Sequence, residues 1–171
     1  MNYEIVEISE TNKHFHNKCN ESFDVFGRLE ISFSQSEWHH REVIFDLPYT
    51  KAYSADEIDL SAYLADPKRA IFFAVSEGTV LGQIAMKSYW NRYCYLEDIG
   101  VAKAERQKGV ASALIARAEE WARSNNLKGF MLETQDINLA ACRLYMRNGF
   151  VLGGVDTLLY RSEERRVGKE C

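Results

Sequence analysis

Residues 95–126 read "YLEDIGVAKAERQKGVASALIARAEEWARSNN", and they decide the fold. The first seven form an extended, largely apolar run that carries two adjacent acids, Glu97 and Asp98. From Val110 onward Ala111, Leu114, Ile115, Ala118 and Trp121 recur at the helical period, with Arg117, Glu120 and Arg123 off that face. Asn125 and Asn126 suit the exit of this helix. Between strand and helix lies "RQKGVA" (106–111), a turn with one glycine. It is either an ordinary helix entry or a cradle for a phosphorylated ligand, because the first N–H groups of a helix converge with the positive end of its dipole. Gly109 would let a ligand approach the backbone closely, and Arg106 and Lys108 add positive charge.

Working outward, "AIFFAVS" (70–76), "EG" (77–78) and "TVLGQIAMKSYW" (79–90) predict a hairpin on a two-residue turn, and "RYCYLEDIGV" (92–101) the strand after it. Downstream, "KGFMLET" (128–134) predicts a strand and "NLAACRLYMRN" (138–148) a helix with Asn138 as N-cap and Gly149 as stop. "FVLGGVDTLLY" (150–160) reads as a last strand. Hairpin, strand, helix, strand, helix, strand is the order of an α/β fold. Its helices flank a mixed sheet whose strands run parallel where a helix connects them.

The first third is less regular. "NYEIVEIS" (2–9) alternates as an opening strand does, and residues 10–22 read as a loop or short helix. Residues 24–46 predict two extended runs around the turn "SQSE" (34–37). From Asp46 to Asp66 the chain sets Asp46, Asp56, Glu57, Asp59 and Asp66 against Lys51, with Tyr49, Tyr53 and Tyr63 between them. This reads first as a solvated acidic loop and second as part of a site.

The 171 residues suit one domain over residues 1–160, and 21 basic against 25 acidic side chains give a net charge of −4. That balance argues against nucleic acid as a partner and favours cationic ligands. The opening residues lack the basic and apolar regions of a signal peptide, and no apolar run is long enough for a membrane span. The expectation is a cytoplasmic protein with no membrane partner. Cys19, Cys94, Cys142 and Cys171 lack C-x-x-C spacing and read as reduced, mostly buried thiols. His14, His16, His39 and His40 read as surface or sheet-face residues, and no metal is expected. Walker, dinucleotide, nucleophile-elbow and H-E-x-x-H patterns do not occur.

Together the strand "YLEDIGV", the loop "RQKGVA", the amphipathic helix, the next strand and "NLAACRLY" resemble the central part of the GNAT superfamily of N-acetyltransferases. The pyrophosphate motif of that family, Q/R-x-x-G-x-G/A, is matched by Arg106, Gly109 and Ala111. The resemblance implies the acyl-CoA N-acyltransferase fold and acetyl-CoA as cosubstrate. It places the pyrophosphate on Gln107, Lys108, Gly109, Val110 and Ala111 beside Arg106. The pantetheine arm is placed along Ile99, Gly100 and Val101, on a strand splayed from its neighbour.

A second resemblance is narrower. "WNRYCYLEDI" (90–99), "GFMLETQDINLAACRLYMRNGF" (129–150), "LGGVDTLLY" (152–160) and "PYTKAY" (48–53) are similar to segments of the streptothricin acetyltransferases. The match runs over about residues 46–160. It implies a small cationic amine as acceptor, the β-lysine moiety of a streptothricin-like antibiotic, and hence resistance. After Tyr160 the tail "RSEERRVGKEC" (161–171) lacks strand alternation, so the expectation is a truncated C-terminal strand followed by an irregular tail. Transfer to another small amine and a non-catalytic acyl-CoA-binding module are the other readings, and the oligomer is either a monomer or a homodimer.

Transfer of an acetyl group to an amine requires removal of a proton before the nitrogen attacks. Glu97 and Asp98 are adjacent on a strand, so they are expected on opposite faces, one of them toward the cleft. Glu97, expected on the face of Ile99 and Val101, is the first candidate for base or amine-orienting anion. Asp98 is the second, and either can instead be a structural ion pair. Tyr145 lies two helical turns after Asn138; by itself it reads first as a residue packed between helix and sheet, but it matches the family's general-acid tyrosine, and the resemblance reverses that order. Asn138 can cap its helix and also bond the pantetheine arm. Trp90, Glu133 and Asp136, with Glu97 and Asp98, are candidate acceptor contacts through charge pairing and cation–π attraction. A core position is the competing reading for Trp90.

Overall fold

The computed structural model describes residues 2–52 and 58–157. In chain order these form β1 (Glu4–Glu7), β2 (Phe23–Ser34), β3 (Glu37–Lys51), α1 (Leu60–Ala65), β4 (Arg69–Ser76), β5 (Thr79–Ser88), β6 (Cys94–Val101), α2 (Val110–Ser124), β7 (Phe130–Met131) and α3 (Leu139–Arg147). Single 3₁₀ turns stand at Lys13–Phe15 and Lys103–Glu105. None of the described helices is long and apolar enough to cross a membrane.

Five strands form one sheet in the order β1-β4-β5-β6-β7. The pairs are antiparallel except β6 with β7, which α2 connects as a crossover. The run Ala70–Val75 is buried without interruption, as a strand covered on both faces must be. On one face α2 presses Val110, Leu114, Ile115, Ala118 and Trp121 against Phe72, Ile84, Met86 and Leu96. On the other, Tyr63 of α1, Ile8 and Phe15 cover Ile71, Phe73, Val75 and Ala85. Phe72 has no exposed surface, so its truncation to alanine would cost about 3–5 kcal/mol.

The expected hairpin around "SQSE" is β2 with β3, turning at Gln35 and Ser36, both with positive φ. It forms a separate two-stranded sheet. Leu29 joins this hairpin to α3 through Leu139 and Cys142. Its register slips between Val25 and Gly27, which leaves Phe45–Pro48 of β3 without partners on β2 and Leu47 exposed.

Three expectations change. The stretch from Asp46 to Asp66 is not a loop throughout. β3 runs on to Lys51, paired with Phe23, and Asp59 caps α1 by accepting from the Ser61 amide at 3.0 Å. Tyr53, Asp56 and Glu57 lie outside the described residues. Second, β7 is only two residues long, because the chain leaves β6 after Met131. Third, residues 150–157 form no strand. Gly153 and Gly154 offer no side chain to pack, and Val151 beside them is 88% exposed. Residues 158–171, including the expected tail and Cys171, lie outside the described residues.

Candidate active site

β6 and β7 pair only at Cys94–Phe130 and Tyr95–Met131. From Leu96 to Val101 the edge of β6 that faces β7 has no strand on it among the described residues. An edge of this kind presents N–H and C=O groups that no strand pairs, where a ligand with amides of its own can bond to them. Ile99, Gly100 and Val101 lie on this open stretch. Gly100 is required there: a Cβ would stand 2.4 Å from Asn20 Oδ1 and 3.2 Å from Cys19 O.

At the end of β6 the chain turns into α2 through the "RQKGVA" loop. Gln107 (φ 63°) and Gly109 (φ 87°) are both left-handed, with Lys108 between them at negative φ. Alternation of this kind turns successive N–H groups to one side. Gly109 is the N-cap of α2, and no side chain caps the helix. The first intrahelical bond there is Ala113 N to Gly109 O at 3.0 Å, so Val110, Ala111 and Ser112 have no intrahelical acceptor. By contrast, α3 is capped by its own side chain, Asn138 Oδ1 accepting from Ala141 N at 3.2 Å. The uncapped turn of α2 fits a phosphate group. Of the two loop cations, Arg106 is tied down by Nε to Val101 O and Nη1 to Ser22 O, each at 3.0 Å. Lys108 pairs with Glu105 at 3.2 Å.

Beside this loop stands the end of α3, where Asn148 Nδ2 donates to Ser112 Oγ at 3.2 Å. Tyr145, one turn earlier, is half-buried against Phe150 with ring centroids 5.6 Å apart. Phe150 in turn stands 6.1 Å from Phe130 of β7, so the end of α3 lies near both the α2 turn and β7.

The two acids do not lie as the strand alternation predicts. Leu96 pairs with Met86 and Asp98 with Ala85, so Glu97 is an extra residue in a β-bulge. A bulge breaks the period-2 alternation. In consequence Glu97 and Asp98 both point to the face of α1, and Glu97 does not share the face of Ile99 and Val101, which pack toward α2. The Glu97 carboxylate accepts from the Tyr63 hydroxyl at Oε2 and pairs with Lys87 Nζ at 2.5 Å through Oε1. Burial and the Glu97 carboxylate hold the Tyr63 phenol well above its usual pKa, so it stays a donor. Asp98 Oδ2 accepts from Gln83 Nε2 at 2.6 Å and from Asn20 Nδ2 at 3.4 Å. Gln83, wholly buried, takes the Asn17 amide on its oxygen at 2.8 Å. These bonds strap residues 17–20 across β6.

Trp90 is not a core residue, being 84% exposed in the turn between β5 and β6. It begins a row of rings. Tyr89 is 6.2 Å from Trp90 and stacks on Tyr95 at 5.2 Å, and Lys87 Nζ lies 5.5 Å from the Tyr95 centroid. Glu133 and Asp136 sit apart from that row, beyond β7. Both are exposed, and Asp136 O accepts from Leu29 N at 3.0 Å. Their neighbour Gln135 accepts from Lys51 Nζ at 2.9 Å.

Tyr63, Lys87 and Gln83 carry no motif, and their link to the acids exists only in the fold. A faint signal did exist for Gln83, a polar residue in the apolar strand "VLGQIAM". Cys19, Cys94 and Cys142 are buried free thiols. Burial pushes Cys94 up to about 12 and Cys142 up to about 11, which rules them out as nucleophiles. Among the described residues no three His, Cys, Asp or Glu side chains converge.

Known proteins place this arrangement. Streptothricin acetyltransferase A of Bacillus subtilis (strain 168) is 44% identical over 156 residues, covering 91% of this chain and 90% of that protein. A Bacillus anthracis protein described as a streptothricin acetyltransferase, solved in complex with acetyl coenzyme A, superposes with a TM-score of 0.87 at 36% identity. It covers 95% of this chain and 92% of the other. Nourseothricin acetyltransferase superposes with a TM-score of 0.78 at 29% identity, covering 92% and 88%. Residues 34–150 match the acetyltransferase (GNAT) family. With its open β6 edge and uncapped α2 turn, the chain belongs to the GNAT family and is an N-acetyltransferase.

Proposed function

We propose that the protein transfers the acetyl group of acetyl-CoA to an amine of a streptothricin-class antibiotic, the β-lysine moiety, and so confers resistance. The observation that carries this reading is the opening between β6 and β7, bounded by uncapped helical amides at one end and by the Glu97 carboxylate on its flank. The choice of acceptor is supported by a relative that covers 91% of the chain and is named for streptothricin.

Acetyl-CoA supplies an activated thioester carbonyl. The chain supplies the rest. Amides at Gly109–Ser112 and the dipole of α2 would neutralise phosphate charge, with Arg106 and Lys108 adding to the field. The edge at Ile99–Val101 would hold an amide-bearing arm in line, with Asn138 at its side. Glu97 attracts the acceptor's ammonium and takes its proton, directly or through water. The Tyr145 hydroxyl donates a proton to the departing thiolate. Asp98, committed to Gln83 and Asn20, holds the strap of residues 17–20 in place. Trp90 and its row of rings offer π-faces to a polycation, and Glu133 and Asp136 supply more distant negative charge. Acetylation removes a positive charge and its hydrogen bonds from the antibiotic.

Thiol release from acetyl-CoA, compared among streptothricin, an aminoglycoside and lysine, tests the reading. The expected result is release with streptothricin far above the others. If coenzyme A binds but no amine stimulates release, the chain is an acyl-CoA-binding module and the proposal fails.

A further inference from the structure

Glu97 is the candidate anion for the acceptor's ammonium, yet the protein already places an ammonium on it. Lys87 Nζ sits 2.5 Å from Glu97 Oε1 and 5.5 Å from the centre of the Tyr95 ring. A carboxylate and an aromatic face each attract an alkylammonium ion. The group they hold here, a primary ammonium on a flexible alkyl stem, is the same group that a β-lysine side chain presents.

Resting on the function proposed above, we infer that Lys87 occupies the acceptor's ammonium site when no acceptor is bound, and that the acceptor enters by displacing it. Lys87 is then a positioning residue that acts through Glu97 and sets how cationic an acceptor must be to compete.

Three features make the exchange mechanically simple. The pair is reachable from solvent, with the Lys87 and Glu97 side chains 28% and 21% exposed. The Tyr63 hydroxyl, on a residue 6% exposed, holds the other oxygen of Glu97, so the carboxylate keeps its aim when the lysine leaves. The rings of Trp90, Tyr89 and Tyr95 form a continuous row that ends at Lys87, and an incoming cation can follow it. Arg69, a second cation near Tyr63, lies over the Tyr63 ring at 5.5 Å and pairs with Asp66. The neighbouring acid differs, since Asp98 Oδ2 accepts from two side-chain amides and not from an ammonium. A resident cation also shields Glu97 from small monovalent amines, which have only one charge with which to compete.

The test uses the full chain with Lys87→Met and Lys87→Arg, measuring Michaelis constants for streptothricin and for acetyl-CoA separately. Lys87→Met should lower KM for streptothricin about two- to fivefold, the range expected when a partly exposed ion pair no longer competes. KM for acetyl-CoA should stay as in the wild type. Lys87→Arg should return the streptothricin KM toward the wild-type value. A residue that merely supports the fold would raise both constants or lower thermal stability, and would not tighten the acceptor alone. An acceptor KM that is unchanged or raised in a Lys87→Met protein that melts with the wild type overturns the inference while the proposed function stands. Absence of transfer to streptothricin by the wild type overturns the function, and the inference with it.

Discussion

The side-chain amide of Gln83, which has no exposed surface, donates to the Asp98 carboxylate at 2.6 Å. Of two neighbouring acids on β6, Asp98 is therefore the one built into the fold. Asp98→Ala removes the nearest acceptor of a buried amide, whose other contact, Asn17 Oδ1, is at 3.4 Å. A loss of about 1–3 kcal/mol in urea unfolding is expected. A stability equal to that of the wild type would show that the network adds nothing.

Tyr145→Phe keeps the packing against Phe150 and removes one hydroxyl. Turnover should fall by roughly 10²- to 10⁴-fold, the usual contribution of a positioned acid. Acetyl-CoA affinity by calorimetry should change little. An unchanged kcat removes Tyr145 from the chemistry.

Gly109→Val tests the proposed cradle. Apart from its chain neighbours, no described residue lies within 4 Å of a Cβ placed there, but φ is +87°. The left-handed backbone should cost about 1–2 kcal/mol of stability. Coenzyme A affinity should fall by more than that, because the side chain would occupy space above the loop amides. Binding that weakens no more than folding would locate the phosphates elsewhere.

Arg143 donates to both oxygens of Glu42, with Nε at 2.8 Å from Oε1, and joins α3 to β3. This bonding holds the Glu42 carboxyl below its usual value of 4.5. A carboxyl so depressed binds fewer protons in the folded than in the unfolded chain. Its contribution is complete above pH 4.5 and is lost as pH falls through the folded value. Glu42→Gln should flatten the decline of stability below pH 4.5 and leave the slope above pH 6 as it was. Parallel curves for the two proteins would refute this.

Thiol labelling checks the reading of the cysteines. At pH 8 in native buffer, peptides carrying Cys19, Cys94 and Cys142 should remain unmodified by a maleimide for hours, and all three should react at once in denaturant. Fast native labelling of Cys94 would contradict its burial.

The parts of this fold legible in the sequence are those fixed by local chemistry. Helix α2 announces itself by its period, α3 by the Asn138 cap, and the β4–β5 hairpin by the Glu77–Gly78 turn. The glycine turn into α2 is legible for the same reason, since loop, glycine and helix start are contiguous. What was hidden depends on pairing between distant segments. The bulge at Glu97 comes from the register of β6 against β5, and no residue type signals it. Its effect on the site is large, because one extra residue places two acids on a single face where alternation predicts two. Tyr63 and Lys87 meet Glu97 across 34 and 10 residues of sequence, and Asn20 meets Asp98 across 78. The final strand expected over residues 150–160 failed in its described part for the converse reason. Its apolar letters are local, but a strand needs a partner, and Gly153 and Gly154 give it little to pack.

The short pairing of β6 with β7 has a consequence for how the protein breathes. Two ladder positions, at Cys94 and Tyr95, hold this border of the sheet together. Beyond them, the amides of Leu96–Val101 that face the gap should exchange with deuterium within minutes in the free protein, although they belong to a strand paired on its other side with β5. A pantetheine arm lying along that edge would act as a substitute strand. Deuterium uptake there should then slow markedly on addition of coenzyme A, with the melting temperature rising in step with ligand concentration. A border of the sheet next to its last strand would then be the place that gains order from the ligand.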